Sequence, residues 1–92
     1  MRRRRIIHRA DATQAALVAG LRRLGATVEI IGEPVDLLVG FRNQTYLVEV
    51  KTPRTIDDLT PQQCEFRSRW RGDPFRVWTS LDDALVALGL KR

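Results

Sequence analysis

One cysteine, one histidine and one tyrosine stand among 92 residues, and no apolar run is long. Each scarcity removes a class of protein. Cys64, alone, forms no internal disulfide and suits a reducing cytosol. It also has no histidine placed as a catalytic partner. His8 sits alone in a basic stretch, with no Cys or His at ligand spacing, so zinc is not expected. No apolar run reaches the ~18–20 residues of a membrane span, and the basic N-terminus lacks the apolar stretch of a secretory signal. A cytoplasmic location with no membrane partner follows as the expectation. No glycine loop that cradles phosphate and no dinucleotide fingerprint is present, so no nucleotide cofactor is expected. Internal repeats and low-complexity linkers are missing too.

What the chain has in plenty is arginine. Sixteen Lys and Arg face eleven Asp and Glu, for a net charge of +5. Arg2, Arg3, Arg4, Arg5 and Arg9 cluster at the start; Arg67, Arg69 and Arg71 surround Trp70. Guanidinium forks match phosphate geometry, and a positive surface that tracks a nucleic-acid backbone is the functional reading. A solvated tail and a solvated helix face are the bland ones; Arg67 and Arg71 are i,i+4 neighbours, which solvation alone explains. Arg54 is either a phosphate contact or a loop charge. Hydrophobic content of 43% is ordinary for a globular chain. Ninety-two residues build one small core. The expected organisation is a basic arm over 1–10 and one domain over 11–92.

Patterning predicts seven elements. Asp11 to Leu24 carries an apolar stripe of Ala15, Leu17, Val18, Leu21 and Leu24 near the helical period, and Gly25 stops it. Thr27 to Ile31 is a β-branched strand. Gly32-Glu33-Pro34 turns the chain. Val35 to Phe41 and Thr45 to Lys51, joined by Arg42-Asn43-Gln44, form an antiparallel hairpin. Thr60 caps a helix with Pro61 in its first position, running to about Arg71. Gly72-Asp73-Pro74 breaks it. Phe75 to Thr79 is a fourth strand. Ser80, with Asp83 three residues on, caps a last helix whose buried stripe is Leu81, Ala84, Leu85 and Leu88. The order αβββαβα predicts an α/β fold: a small mixed sheet flanked by helices.

The chemistry sits on the hairpin. Strand side chains alternate faces, so Glu49 and Lys51 point one way while Val48 and Val50 point the other. Asp36 opens the apolar run Leu37-Leu38-Val39, and Glu49 is embedded in Tyr46-Leu47-Val48. Burying even part of a charge is costly unless it is paired or binds a metal. Two acids and a lysine converging on one sheet face suit phosphodiester hydrolysis. The acids hold a hard divalent cation, and the lysine orients water or offsets developing charge. Alternation alone also permits a solvated Glu49–Lys51 pair of little consequence.

The upstream Asp36, the Glu49-Val50-Lys51 tripeptide, the downstream Leu59-Thr60-Pro61-Gln62-Gln63 and the element order resemble the PD-(D/E)XK nuclease superfamily. Within it, the chain looks like the small phage-type VRR-NUC and Holliday-junction-resolvase-like domains. The resemblance runs from about Asp11 to about Leu88. One departure stands out: the family usually places Pro directly before the Asp, and here Val35 intervenes.

The resemblance implies a restriction-endonuclease-like fold and an endonuclease dependent on Mg²⁺, with Mn²⁺ able to substitute. Asp36 and Glu49 would be metal ligands, the Val50 carbonyl a backbone ligand, and Lys51 the catalytic lysine. Gln63 would lie near the metal or the scissile phosphate; otherwise it is an exposed helix residue. Asp11 would complete the metal site; otherwise it caps its helix. Gln14 fits the same pattern without a clear role. The implied substrate is branched or double-stranded DNA, read through shape and backbone because the chain has no room for a sequence-reading domain. Holliday-junction resolution is the expected activity. The alternatives are a nickase, flap or restriction-like nuclease of the same fold, and a catalytically silent DNA-binding module. If phage-encoded, the protein would act in the host cytoplasm. Two symmetric cuts from one site per chain call for a homodimer, with Phe66, Trp70 or Trp78 as candidate anchors.

Overall fold

A computed structural model describes residues 9–92. The elements are α1 (Arg9–Arg23), β1 (Thr27–Ile30), β2 (Leu37–Phe41), β3 (Gln44–Val50), α2 (Pro61–Arg69), β4 (Arg76–Trp78) and α3 (Leu81–Ala87). The four strands form one sheet in sequence order. β1 to β3 run antiparallel, and β4 joins β3 in parallel through the α2 crossover. The expected αβββαβα fold with a mixed sheet is the fold observed.

Local sequence chemistry explains most boundaries. α1 ends in a Schellman motif: Ala26 N–H donates to the Leu21 carbonyl at 3.1 Å and Gly25 N–H to that of Arg22 at 3.1 Å. This needs Gly25 at φ +93°, where a side chain is strained. The hairpin turn is Arg42-Asn43, with φ of 48° and 63°. Two successive left-handed residues match the twist of the flanking strands. α2 begins with a full capping box between Thr60 and Gln63. α3 departs from expectation. Ser80 Oγ accepts from Asp83 N–H at 3.3 Å, but the Asp83 carboxylate reaches back to Thr79, taking its N–H at 2.7 Å and its hydroxyl at 2.8 Å.

One face of the sheet is the core. Val28, Leu37, Val39, Val48, Val50 and Trp78 pack against Leu17, Val18 and Leu21 of α1 and against Ala84 and Leu88. The α1 stripe is narrower than its apolar pattern suggests: Ala15 is exposed and Leu24 is 39% exposed. Gly20 takes part instead. A Cβ there would stand 2.8 Å from a Leu81 methyl, so its absence lets α1 and α3 close together. The other sheet face carries Glu49, Leu47 and Val77 and looks toward α2. Cys64 and Arg67 of α2 share a cleft with Val77, and Phe66 is the helix's buried residue. Of the three aromatic anchors considered for a dimer, Phe66 and Trp78 are buried in their own chain. Only Trp70, 41% exposed, remains at the surface.

Several expected boundaries move: β1 ends at Ile30, β3 spans Gln44–Val50 and leaves Lys51 just past its end, and β4 shortens to Arg76–Trp78. Three further shifts are larger. β2 starts at Leu37 rather than Val35, because residues 33–36 bend away from β3. α1 is already helical at Arg9, so the arm expected over 1–10 overlaps the helix. α2 stops at Arg69, two residues early: Trp70 is extended at ψ 128°, and its indole N–H donates to the Asp73 carbonyl at 2.7 Å.

Candidate active site

The site forms where β2 has ended and β3 continues. With β2 and β3 in register as Leu37↔Val48, an extended β2 would set the Val35 carbonyl opposite Val50. The bend removes that partner, and the Asp36 side chain takes its place. Val50 N–H donates to Asp36 Oδ2 at 2.8 Å. The backbone of Asp36 meanwhile holds β1: its carbonyl accepts from Ile31 N–H at 2.9 Å and Gly32 N–H at 3.2 Å. Asp36 is thereby fixed by three hydrogen bonds at the end of the ladder, with one carboxylate oxygen not engaged by Val50.

Glu49 follows from alternation. Its neighbours Val48 and Val50 enter the core, so its own side chain goes to the α2 face, where it is 4% exposed. Lys51 lies on the same side, with Nζ 3.4 Å from Glu49 Oε2. Its backbone extends the parallel pairing, donating to the Trp78 carbonyl at 3.1 Å. The other oxygen, Glu49 Oε1, is buried without a hydrogen-bond partner. Burial lifts the Glu49 carboxyl above its ordinary range. Gln63 opposes that rise, the Asp36 carboxylate adds to it, and Lys51 opposes it.

Gln63 connects helix to strand. Its amide oxygen accepts from Thr60 N–H at 3.1 Å, and its own N–H donates to Thr60 Oγ1 at 3.1 Å. The same side chain favours the ionised form of the Glu49 carboxyl. The sequence offered two readings of Gln63, a site residue or an ordinary exposed helix residue; the structure makes it part of the α2 capping box and half-buried.

A cleft of about 340 Å³ opens over these groups, lined also by Asp11, Gln14, Thr55 and Asp58. Asp11 lies inside the first turn of α1 rather than at its cap, and faces this cleft. Val50 is part of the same wall. Thr55 and Asp58 are additions that the sequence pattern did not single out. They arrive because the loop after Lys51 folds on itself, Thr52 N–H donating to Thr55 Oγ1 at 3.0 Å and Asp58 N–H to the Thr55 carbonyl at 2.9 Å. The Thr-x-x-Thr spacing is the one sequence hint of that turn. Arg54 is exposed on the loop and does not line the cleft. Arg2 to Arg5 lie outside the described residues, and Arg9 opens α1.

The donor set suits a small hard cation. Among the described residues no group of three or more His, Cys, Asp or Glu side chains is arranged to hold a metal. Two carboxylates, Asp36 and Glu49, line one cleft, and Glu49 has a buried unpartnered oxygen. Mg²⁺ is usually held by one or two carboxylates with waters and substrate phosphates completing its shell. Among the described residues no helix is long and apolar enough to cross a membrane. No family model matches the chain, and neither a curated protein nor a solved structure matches it.

Proposed function

We propose that this protein is a Mg²⁺-dependent, structure-selective DNA endonuclease of the PD-(D/E)XK type, acting on branched DNA as a Holliday-junction resolvase does. The observation that carries the reading is Glu49: a carboxylate 4% exposed, with one oxygen unpartnered, set beside Asp36 and 3.4 Å from Lys51. A merely structural strand residue in that place would be Thr or Val, since an ionised buried group costs stability. The cleft above it makes the cost functional.

Asp36 and Glu49 would hold the cation, with the Val50 carbonyl on the same wall; Mn²⁺ fits the same oxygen donors. The cation supplies Lewis-acid polarisation of a phosphate oxygen and lowers the pKa of water. The chain does the rest. The Val50 N–H fixes the Asp36 carboxylate, so its free oxygen does not reorient during the reaction. Gln63 and Lys51 favour the ionised form of Glu49 and partly offset the rise that burial causes. Lys51 also directs an ammonium at the cleft. There it orients the attacking water and offsets the negative charge that builds on the phosphate as the P–O bond to the leaving oxygen breaks.

The test is cleavage of a panel of linear, nicked, flapped and four-way DNA with Mg²⁺, with Asp36→Asn and Glu49→Gln beside wild type. Expected is junction-selective cutting by wild type and loss of cutting, with DNA binding kept, in both variants. Cutting by either variant at near wild-type rate would remove the site. Paired cuts at a four-way junction would support the resolvase assignment; single nicks would leave a nickase. Binding without cleavage under any divalent metal would leave a DNA-binding module.

A further inference from the structure

A second groove, of about 470 Å³, runs between the turn at Glu33, three residues before Asp36, and one face of α2. Thr60, Gln62, Gln63, Phe66 and Arg69 line its helical side. Gln63 links the two places: its side chain borders the groove, and it favours the ionised form of Glu49 in the cleft. Polar hydrogen-bonding groups stand at the end near the acids, and a guanidinium stands at the far end. Glu33 on the opposite wall is the one acid of the lining, which leaves the α2 side as the side for an anion.

Arg69 is the informative residue. It is exposed, and it forms no ion pair with any described carboxylate. It is nonetheless placed: its guanidinium carbon lies 5.5 Å from the Phe66 ring centroid, and Phe66 is 5% exposed. A cation held over a buried ring, with no ion-pair partner among the described residues, has already lost part of its rotamer freedom. Arg67, two residues back on the helix, points elsewhere, into the cleft with Cys64 and Val77. The two arginines share a helix and a charge but not a groove.

We infer that the groove between the Glu33 turn and α2 carries the DNA strand away from the cleavage site, with Gln62 as a polar contact at the end near the acids and Arg69 as a phosphate-binding residue at the far end. Six residues of helix separate Gln63 from Arg69, about 9 Å at 1.5 Å per residue, or about two to three base steps of a duplex. A contact at that distance positions the strand without touching the reacting phosphate, so Arg69 is a positioning residue. The inference rests on the nuclease reading of the neighbouring cleft.

The experiment compares Arg69→Ala with Arg67→Ala, which make the same change in net charge on the same helix. Binding of a fluorescent four-way junction is measured by anisotropy in Ca²⁺ over a salt series, and cleavage is measured in Mg²⁺. Arg69→Lys, which keeps the charge, and a thermal melt of each variant guard against loss of the Phe66 contact. Expected for Arg69→Ala is binding about three- to tenfold weaker, with a salt slope reduced by about one, and cleavage reduced in step with binding at subsaturating DNA. Arg67→Ala should keep the wild-type slope, and Arg69→Lys should recover most of the binding. Equal losses in Arg67→Ala and Arg69→Ala would reduce the effect to net charge and overturn the groove. So would an unchanged slope in Arg69→Ala while wild type binds and cuts, and the nuclease reading would then still stand. A wild type that neither binds nor cuts DNA would remove both.

Discussion

Two lysine–carboxylate pairs, alike in chemistry, sit in opposite surroundings. Lys91 and Asp82 meet at 3.0 Å with side chains 49% and 70% exposed; Lys51 and Glu49 meet at 3.4 Å with 15% and 5% exposed. The longer, buried pair is the more consequential. In water an ion pair gains little and is screened. Away from water both partners lose hydration, and the attraction between them repays it only when the remaining lone pairs are satisfied. Glu49 Oε1 is not satisfied. The buried pair is therefore an expense to the fold, and its place beside a second carboxylate at the floor of a cleft ties that expense to chemistry.

The comparison breaks most visibly in activity. Lys51→Ala should cut DNA about a hundredfold more slowly or worse, while still binding DNA in Ca²⁺. Lys91→Ala should cut at the wild-type rate. Single-turnover cleavage of a junction substrate measures both. Retained activity in Lys51→Ala would move water activation to another group in the cleft, Asp58 or Asp11 first.

Asp36 separates charge from backbone support. Asp36→Asn keeps a side-chain oxygen to accept the Val50 N–H, so it should lose cleavage and keep its melting temperature. Asp36→Ala leaves that part-buried N–H without its partner at the end of the β2–β3 ladder. It should lose cleavage and also about 1–3 kcal/mol of stability. Urea denaturation of the two variants decides it. Equal stability would mean that water takes over the bond and that Asp36 has no part in the ladder.

This double role shows what the sequence could and could not convey. Element order, the crossover, the β2–β3 hairpin and the Thr60 cap were legible because each follows from a local rule: alternation broken by turn residues, or a cap with Pro behind it. The hairpin turn is one residue shorter than the expected Arg42-Asn43-Gln44, because Gln44 already pairs with Phe41. The outward direction of Glu49 was legible for the same reason. The end of β2 was not. Asp36 was expected within a strand, and it instead lies in a bend where its side chain replaces a strand carbonyl. No periodicity encodes that exchange. Thr55 and Asp58 were illegible because a loop that folds on its own hydroxyl contacts has no repeat to read. Gly20 escaped notice because its contribution is a missing side chain between two helices.

Stability against pH sharpens the contrast further. Burial raises the Glu49 carboxyl in the fold above its value in the unfolded chain, so the unfolded chain gives up that proton first as pH rises. Stability from the neutral carboxyl is fully present below the ordinary Glu range, near pH 4. It is lost as pH rises through the raised folded value. Glu49→Gln removes the titration. In chelator, its melting temperature should match wild type at acid pH and exceed it at pH 7, with loss of the Lys51 partner trimming the gain. Added Mg²⁺ should then raise the wild-type melting temperature and leave that of Glu49→Gln unchanged. Superimposable melts across the pH range would mean that ionised Glu49 costs the fold nothing.

The exposed pair supplies the smallest effect and the cleanest control. Asp82 sits in the first turn of α3, where a negative charge is favoured by the helix ends whether or not Lys91 is present. Asp82→Ala alone would therefore misreport the pair, and a double-mutant cycle with Lys91→Ala is needed to isolate it. The expected coupling is about 0.5 kcal/mol or less, given how much of both side chains faces water. It should shrink as salt rises, because exposed charges are screened. Cleavage should not change in either single variant or in the double. A coupling above about 1 kcal/mol that survives high salt would put this pair beyond the usual range for exposed ion pairs. It would then be fastening the chain after α3 to its first turn, and the difference between the two lysines would no longer follow from burial alone.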